Sequence, residues 1–277
     1  RPYMTSKTRF FPYFKPLAVA LALAASSVHG AETTENGAVK NPWAFDLTVY
    51  GWLPGIDGDF SAGRFDTTTS PSFVNIMGKL RNFPMSFNGH FEAHYERLGF
   101  YLDGNYMGLD FRSHLDQGIS KGISTRMGIM DYGASYRLFG PTASERVSNW
   151  DAKTRSNSFD IYAGGRTIWL GNEAEFTDIG YVSSNASITA PVIGGRINVD
   201  ISPKWFVLVD GSVGGFGVDN VNFTSSALGK IGYRTSLFGV PTSVEAGYKA
   251  LSVKVSKPVL TADITLHGPY IGLTGYW

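Results

Sequence analysis

Residues 191–217 alternate between apolar and polar positions with a period of two. Isoleucine, valine or glycine fills every second position from 193 to 201, and after a turn at 202–204 the alternation resumes over 205–213. Two runs of period two around a tight turn predict an antiparallel hairpin. One face of each run is continuously apolar, and each run has about the nine to eleven residues that a membrane-crossing strand needs. The pattern therefore predicts two neighbouring strands of a transmembrane β-barrel.

The remainder of the chain repeats this unit, which predicts an all-β protein built as an antiparallel up-and-down barrel. A first strand is expected at 43–53, before a turn cluster at 54–58. The next strand has the most regular alternation, with Phe87 and Phe91 facing one way and His90 facing the other. With the first strand, the following segments bring the total to ten: 84–96, 98–106, 122–138, 158–170, 188–201, 204–216, 226–238, 242–255 and 262–277.

The strand count follows from parity. A barrel whose two ends lie in the periplasm needs an even number of strands, and ten satisfies this rule, with the short links at 97, 202–204 and 239–241 on the periplasmic side. Residues 54–82 then form one long outer loop, in which the apolar spacing of Ser72–Leu80 predicts a short helix. The polar segment 58–70 suits a short hairpin; if it spans the membrane instead, twelve strands is the alternative.

The first thirty residues are typical of a secretory signal peptide, with Met4 as its start. Basic residues precede a short apolar segment at 17–25, and small residues follow up to an expected cleavage site after Gly30. Nine apolar residues are too few for a membrane anchor, which needs about twenty. We therefore expect a signal peptide at 1–30, a periplasmic lead at 31–42 and one barrel domain at 43–277.

Composition excludes several classes of function. Residues 1–30 hold four basic and no acidic residues, so the mature chain has 20 Lys+Arg against 23 Asp+Glu, a net charge of −3 that gives no reason to expect nucleic acid. The absence of cysteine excludes disulfides and thiolate chemistry. Aromatic residues at 14% and 33 glycines suit a barrel in lipid. Composition alone also fits a soluble periplasmic β-sandwich, which is the least favoured alternative because it requires most of the apolar faces to be buried against each other.

Several segments resemble a family of uncharacterised Gram-negative outer-membrane β-barrel proteins. They include WAFDLTVYGWLPGIDGDF at 43–60, FEAHYERLGFYLDGNY at 91–106 and the signature DGSVGGFG at 210–217. The last strand, which ends at Trp277, also resembles the signal by which the outer-membrane assembly machinery recognises its substrates. The resemblance implies a barrel in the outer membrane, with outer-membrane lipid, lipopolysaccharide and that machinery as partners. It implies no reaction and no catalytic residue.

Alternation places many ionisable residues on the inward face of the predicted barrel. Their signs are mixed and nearly balanced, so they could fill a narrow lumen as ion pairs, or they could line a pore or a solute site. The inward candidates are His90, Glu92, His94, Asp103, Asp131, Arg137, Asp160, Arg166, Arg196, Asp200, Asp210, Lys230, Arg234, Glu245 and Lys249.

His90, Glu92 and His94 invite a metal or catalytic interpretation. At ~3.3 Å per residue the two imidazoles are expected about 13 Å apart along the strand, too far to share an ion. A histidine, a carboxylate and a serine could make a hydrolytic triad, but nothing in the spacing fixes one. The glycines at 211–217 are not expected to hold a phosphate, because a strand rather than a helix follows them.

These observations predict a non-catalytic outer-membrane barrel without metal or cofactor, acting as a structural or surface element or a small-solute channel. The alternative is an outer-membrane hydrolase that uses His90 or His94 with Glu92 and Asp103. A hydrolase predicts a water-accessible cluster at the barrel mouth, and a structural barrel predicts these residues paired within the lumen.

Overall fold

The computed structural model describes residues 41–62, 65–69, 87–111, 122–151, 156–176, 180–257 and 260–277. Antiparallel strands dominate this part of the chain. The strands are β1 Trp43–Trp52, β2 Gly55–Ala62, β3 Phe65–Thr69, β4 Phe87–Tyr95, β5 Leu98–Phe111, β6 Gly122–Phe139, β7 Ser158–Phe176, β8 Gly180–Asp200, β9 Trp205–Gly215, β10 Val221–Leu237, β11 Val240–Lys257 and β12 Leu260–Tyr276; a helix, α1, spans Ala143–Ser148, and a 3₁₀ turn spans Val218–Asn220.

The sheet closes on itself as a ten-stranded barrel. β1 pairs with β4 on one side and with β12 on the other, and β4 to β12 follow one another in sequence order. Every pairing is antiparallel, from Trp43 opposite Tyr95 to Trp52 opposite Tyr270. The predicted up-and-down barrel of ten strands is confirmed.

Strand β2 continues β1 after a break at Leu53 and Pro54. Both strands pair with β12 in one register, since Trp52 lies opposite Tyr270 and Gly55 lies opposite His267. Proline has no N–H to donate, so the ladder is interrupted there and resumes at Gly55. β3 then pairs back onto β2 as a hairpin. Within the predicted outer segment 54–82, the short hairpin expected at 58–70 is confirmed as β2 and β3, and it lengthens the barrel wall without adding a crossing.

Several strands extend beyond their predicted ends. Residues 171–187, between the strands predicted at 158–170 and 188–201, belong largely to β7 and β8, whose pairing runs out to Phe176 opposite Gly180. β10 likewise begins at Val221 rather than near 226. The backbone pairing continues through these outer ends, although the sequence over 171–187 no longer alternates between apolar and polar residues. The period-two signal ends before the strand does.

One end of the barrel, here called the short-turn end, carries compact links at Glu96–Arg97, 201–204 and Phe238–Gly239. Phe238 and Gly239 have φ of 53° and 81°, the left-handed conformation of both central residues in a two-residue hairpin turn. At the opposite end, Gly215 and Gly217 have φ of 101° and 81° in the turn between β9 and β10. These two glycines of the 210–217 signature therefore occupy turn positions that other residues rarely adopt.

The outward face of the barrel is a band of exposed apolar side chains. Ile193, Val209 and Ile271 are 52%, 55% and 64% exposed, although each lies within a strand. A continuous apolar band of this kind is typical of a surface in contact with lipid. Aromatic pairs border it at the short-turn end: Trp43 with Tyr95, and Trp205 with Tyr233, with ring centroids 5.1 and 5.0 Å apart. No helix among the described residues is long and apolar enough to cross a membrane.

The helix α1 lies between the strands predicted at 122–138 and 158–170, where the sequence analysis predicted no helix. α1 falls within residues 140–157, and its capping box could have been recognised from the sequence: the Thr142 hydroxyl accepts from the Glu145 N–H, and the Glu145 carboxylate accepts from the Thr142 N–H. The predicted helix at 72–80, the signal peptide at 1–30 and most of the lead at 31–42 lie outside the described residues.

Candidate functional site

The lumen contains a cavity of about 320 Å³, here called the lumen cavity. It occupies the half of the barrel nearer the short-turn end, where α1 and its flanking residues cover the opening. Every inward candidate named from the sequence lines this cavity, from His90 on β4 to Lys249 on β11. Each of these side chains also makes an ion pair or hydrogen bond with another inward residue.

Glu92 is the centre of the first cluster. Its two carboxylate oxygens contact the Nε2 atoms of His90 and His94 at 2.7 and 3.0 Å, and the guanidinium of Arg196 bonds to the same carboxylate. The 13 Å spacing expected for the imidazoles is therefore wrong for their ring atoms, because both rings lean along the strand towards Glu92. Asp46 joins the cluster through His94 at 3.3 Å.

This cluster contains a set of potential metal ligands. One ligand atom from each of Asp46, Glu92 and His94 lies within 4.8 Å of the others. The Arg196 guanidinium already neutralises the Glu92 carboxylate and would repel a cation placed beside it. All three groups already take part in ion pairs within the cluster.

A second cluster ties three distant strands together across the lumen. Lys249 on β11 donates to Asp103 on β5 at 3.1 Å and to the hydroxyl of Tyr50 on β1 at 2.9 Å. Tyr50 in turn donates to Asp103 at 2.9 Å. A lysine in the lumen is tolerated because its charge is paired and its ammonium donates hydrogen bonds.

A third cluster surrounds Arg166, which is 2% exposed. Its guanidinium makes a bidentate pair with Asp131 at 2.7 and 2.8 Å, and it also donates to the hydroxyls of Thr224 and Ser226 at 2.9 and 3.0 Å. Glu245, 1% exposed, is satisfied in the same way, by Lys230 at 2.6 Å and by the Ser243 and Thr274 hydroxyls at 2.8 and 3.1 Å. Arg166 and Glu245 are therefore both buried in the lumen with hydrogen-bond partners for their charged groups.

At the short-turn end, arginines pair with lumen carboxylates. Arg137 pairs with Asp160 at 2.7 Å and Arg234 pairs with Asp200 at 2.5 Å. Arg146 of α1 reaches Asp200 only at 3.7 Å and donates to the Ser158 hydroxyl at 3.3 Å. Burial, followed by repulsion from Arg137, lowers the pKa of Arg146 to about 10, so its guanidinium stays charged at neutral pH.

Towards the opposite end the inward face becomes apolar. Buried side chains from β1, β5, β6, β7, β8, β10, β11 and β12 form one contiguous cluster, here called the apolar layer. Its members are Tyr50, Trp52, Met107, Met127, Ile129, Ile168, Ile188, Ala190, Val221, Leu251, Val253, Leu266 and Tyr270. The sequence carried a signal for this layer, since Met127, Ile129, Leu251 and Val253 put apolar residues on the inward face, where other parts of the same strands carry ionisable residues.

A few buried polar atoms in the described part of the chain have no hydrogen-bond partner. They are both side-chain amide atoms of Asn88, the Tyr101 hydroxyl and the Asn198 Oδ1. Tyr101 and Asn198 line the lumen cavity, and Asn198 is 7% exposed. Buried acceptors without partners are rare in folded proteins, so each one needs a physical explanation.

The two histidines of the sequence-predicted hydrolase bond to carboxylates in the described residues. His90 bonds to Glu92 and Asp103, and His94 bonds to Glu92 and Asp46, so neither imidazole has a serine hydroxyl as its partner. Both rings lie within the lumen and are paired. This is the arrangement that the hypothesis of a structural barrel predicts for these residues.

Comparison with known proteins returns distant barrels. The chain is similar to the outer membrane protease OmpT from Escherichia coli, at 10% identity over 88% of this chain and 100% of that one, with a TM-score of 0.43. It is also similar to Ail, the attachment invasion locus protein of Yersinia pestis, at 10% identity over 85% and 98% of the two chains, with a TM-score of 0.33. The P. putida toluene transporter TodX gives 8% identity over 85% and 90%, with a TM-score of 0.31.

No protein-family model and no curated protein matches the sequence. At the identities and scores of the three solved structures, the comparisons carry no argument about the reaction, ligand or partners of this chain. The barrel fold is assigned from the pairing of the strands. The resemblance of the 210–217 signature to a family of outer-membrane barrels stays a prediction.

Proposed function

We propose that this protein is a non-catalytic outer-membrane β-barrel that serves as a structural or surface element rather than as a channel. The exposed apolar band supports a position in lipid, and the even count of ten antiparallel strands suits a bacterial outer membrane. Its expected partners are outer-membrane lipid, including lipopolysaccharide, and the assembly machinery that would recognise the C-terminal strand ending at Trp277.

The observation that carries the proposal is the apolar layer. Its side chains come from eight of the ten barrel strands and pack into one cluster across the lumen. A hydrophobic constriction excludes water, and an ion that entered it would lose its hydration without finding polar ligands. On the short-turn side the charged groups are bonded to one another, and α1 covers the opening. We infer that ions do not pass through this conformation.

Conductance measurement in a planar bilayer tests the proposal. The refolded full chain is expected to insert without producing discrete current steps, because the apolar layer seals the lumen. Slower gel migration after heating verifies that the inserted protein had been a folded barrel. Regular, ion-dependent steps from verified barrels would contradict the proposal and favour the small-solute channel, with Arg196 and Asp210 as the first lining residues to substitute.

A further inference from the structure

The outward face of β11, β12 and β2 changes from apolar to polar at one level. On β12 the change follows Pro269, on β11 it follows Ala250, and on the wall made by β1 and β2 it follows Leu53. The register brings these changes side by side, since Ala250 lies directly opposite His267. The ten residues of β1 between the aromatic border and this level are enough for one membrane crossing. The level therefore marks where the outer lipid leaflet passes from hydrocarbon to headgroups.

Three side chains at this level form a hydrogen-bonded chain across the three strands. The Tyr248 hydroxyl lies 2.5 Å from His267 Nδ1, and His267 Nε2 lies 2.7 Å from the Asp57 carboxylate. An ionised carboxylate only accepts, so His267 Nε2 donates that second bond. Tyr248 is 51% exposed, and the side chains of His267 and Asp57 are 37% and 49% exposed. A molecule that lies along the outer wall can therefore reach all three.

Asp57, Thr265 and Ser252, here called the polar row, lie directly opposite one another on β2, β12 and β11. Neighbouring Cβ atoms in such a row are about 5 Å apart, so the row is about 10 Å long, close to the length of a disaccharide. Thr265 donates to the Ser252 Oγ at 3.1 Å, and within the described part of the chain Ser252 has no acceptor for its own proton. Asp57 accepts one bond there, of the roughly four that a carboxylate can accept. The row thus offers an acceptor at one end and a donor at the other.

We infer that this face binds the sugar headgroup of an outer-leaflet glycolipid, with the acyl chains against the apolar part of the same face. Sugar hydroxyls both donate and accept, so they match the Asp57 carboxylate and the Ser252 hydroxyl, and the exposed Tyr248 ring provides an apolar surface beside them. Phospholipid headgroups are smaller and carry fewer hydroxyls, so they satisfy less of the polar row. The inference rests on the proposed function for the position in an outer membrane, and it specifies where lipopolysaccharide, the glycolipid expected there, is held.

Native mass spectrometry of the refolded full chain in detergent micelles tests the site. The probes are lipopolysaccharide, phosphatidylethanolamine and phosphatidylglycerol, and heat-modifiable gel mobility first verifies that the chain is a folded barrel. The folded wild type is expected to retain one lipopolysaccharide per chain. Retention should be at least about tenfold stronger than for either phospholipid, because a hydrogen bond to a charged group and one to a neutral group are both at stake.

Variants assign the two ends of the polar row separately. Asp57→Ala should weaken lipopolysaccharide retention by about tenfold or more, and Ser252→Ala by about three- to tenfold. Neither should change the retention of the phospholipids. Thr167→Val is the matched control, because Thr167 bonds to Thr189 at 3.0 Å as another exposed hydroxyl pair of the outer wall, on β7 and β8. It should change nothing.

Two results would overturn the inference. The first is a folded wild-type barrel that retains lipopolysaccharide no better than phosphatidylglycerol, which would show that any phosphate-bearing lipid suffices. The second is lipopolysaccharide retention that folded Asp57→Ala and folded Ser252→Ala leave unchanged. If one of these variants does not fold, the other decides the matter alone. Both results are obtained on verified barrels, so failure of the glycolipid site is distinguished from failure of the membrane barrel itself.

Discussion

Replacing Glu245 with leucine should lower the free energy of unfolding by about 3–5 kcal/mol, among the largest effects expected for a single substitution in this barrel. Glu245 is 1% exposed and pairs with Lys230 at 2.6 Å. Without it, the Lys230 ammonium is left in the lumen with no carboxylate, and the Ser243 hydroxyl loses its acceptor. Urea titration of the protein in lipid vesicles, followed by tryptophan fluorescence, measures the loss.

Two further variants separate burial from pairing. Asp263 pairs with Lys254 at 2.6 Å on the exposed surface, so Asp263→Leu should cost only about 0–1 kcal/mol. Lys230→Met combined with Glu245→Leu should recover most of the lost stability, because no unpaired charge then remains in the lumen. A Glu245→Leu loss no larger than that of Asp263→Leu would show that the lumen charges are solvated and that the described packing is wrong.

Replacing Trp52 with alanine should both destabilise the barrel and open it to ions. Trp52 is 1% exposed within the apolar layer, and its indole N–H donates to the carbonyl of Lys249 at 3.2 Å. Truncating a fully buried tryptophan costs about 3–5 kcal/mol, since the neighbours do not fill the void. The void also breaks the hydrophobic seal, so Trp52→Ala should show current steps in a planar bilayer where the wild type shows none.

Trp169→Ala is the matched control. Trp169 is 43% exposed on the outward face, so its removal leaves the lumen unchanged. We expect a smaller loss of stability than for Trp52→Ala and no current steps. Current from Trp169→Ala, or a folded Trp52→Ala that conducts no ions, would show that the apolar layer is not what closes the lumen.

The barrel could be predicted from the sequence because lipid imposes one simple condition on every strand. Outward residues such as Val209 must be apolar, and inward residues such as Asp210 need not be, so the period of two marks both the strand and its faces. The alternation stops after about residue 170, so the outer halves of β7 and β8 lie beyond the ends of the predicted strands. The break at Pro54 also concealed that β2 continues β1.

The face of each ionisable residue was predictable, but its partner was not. Glu92 and Arg196 are 104 positions apart, and alternation says nothing about which strands lie across the lumen from each other. Lysine, arginine and histidine also reach past their own positions, as His90 and His94 do in converging on Glu92. The contact between Arg146 and the lumen depends on α1 folding back over the opening, which strand patterns do not describe.

Refolding with and without lipid tests the central claim, a membrane barrel whose apolar face is outward, most directly. Protein unfolded in urea is diluted into buffer alone or into buffer with lipid vesicles, and samples are compared by heat-modifiable gel mobility and circular dichroism. The account predicts a β-rich, heat-modifiable species only with vesicles, since the exposed apolar band needs lipid. A stable folded monomer in buffer without lipid or detergent would contradict it, because those outward side chains would then have to be buried against each other.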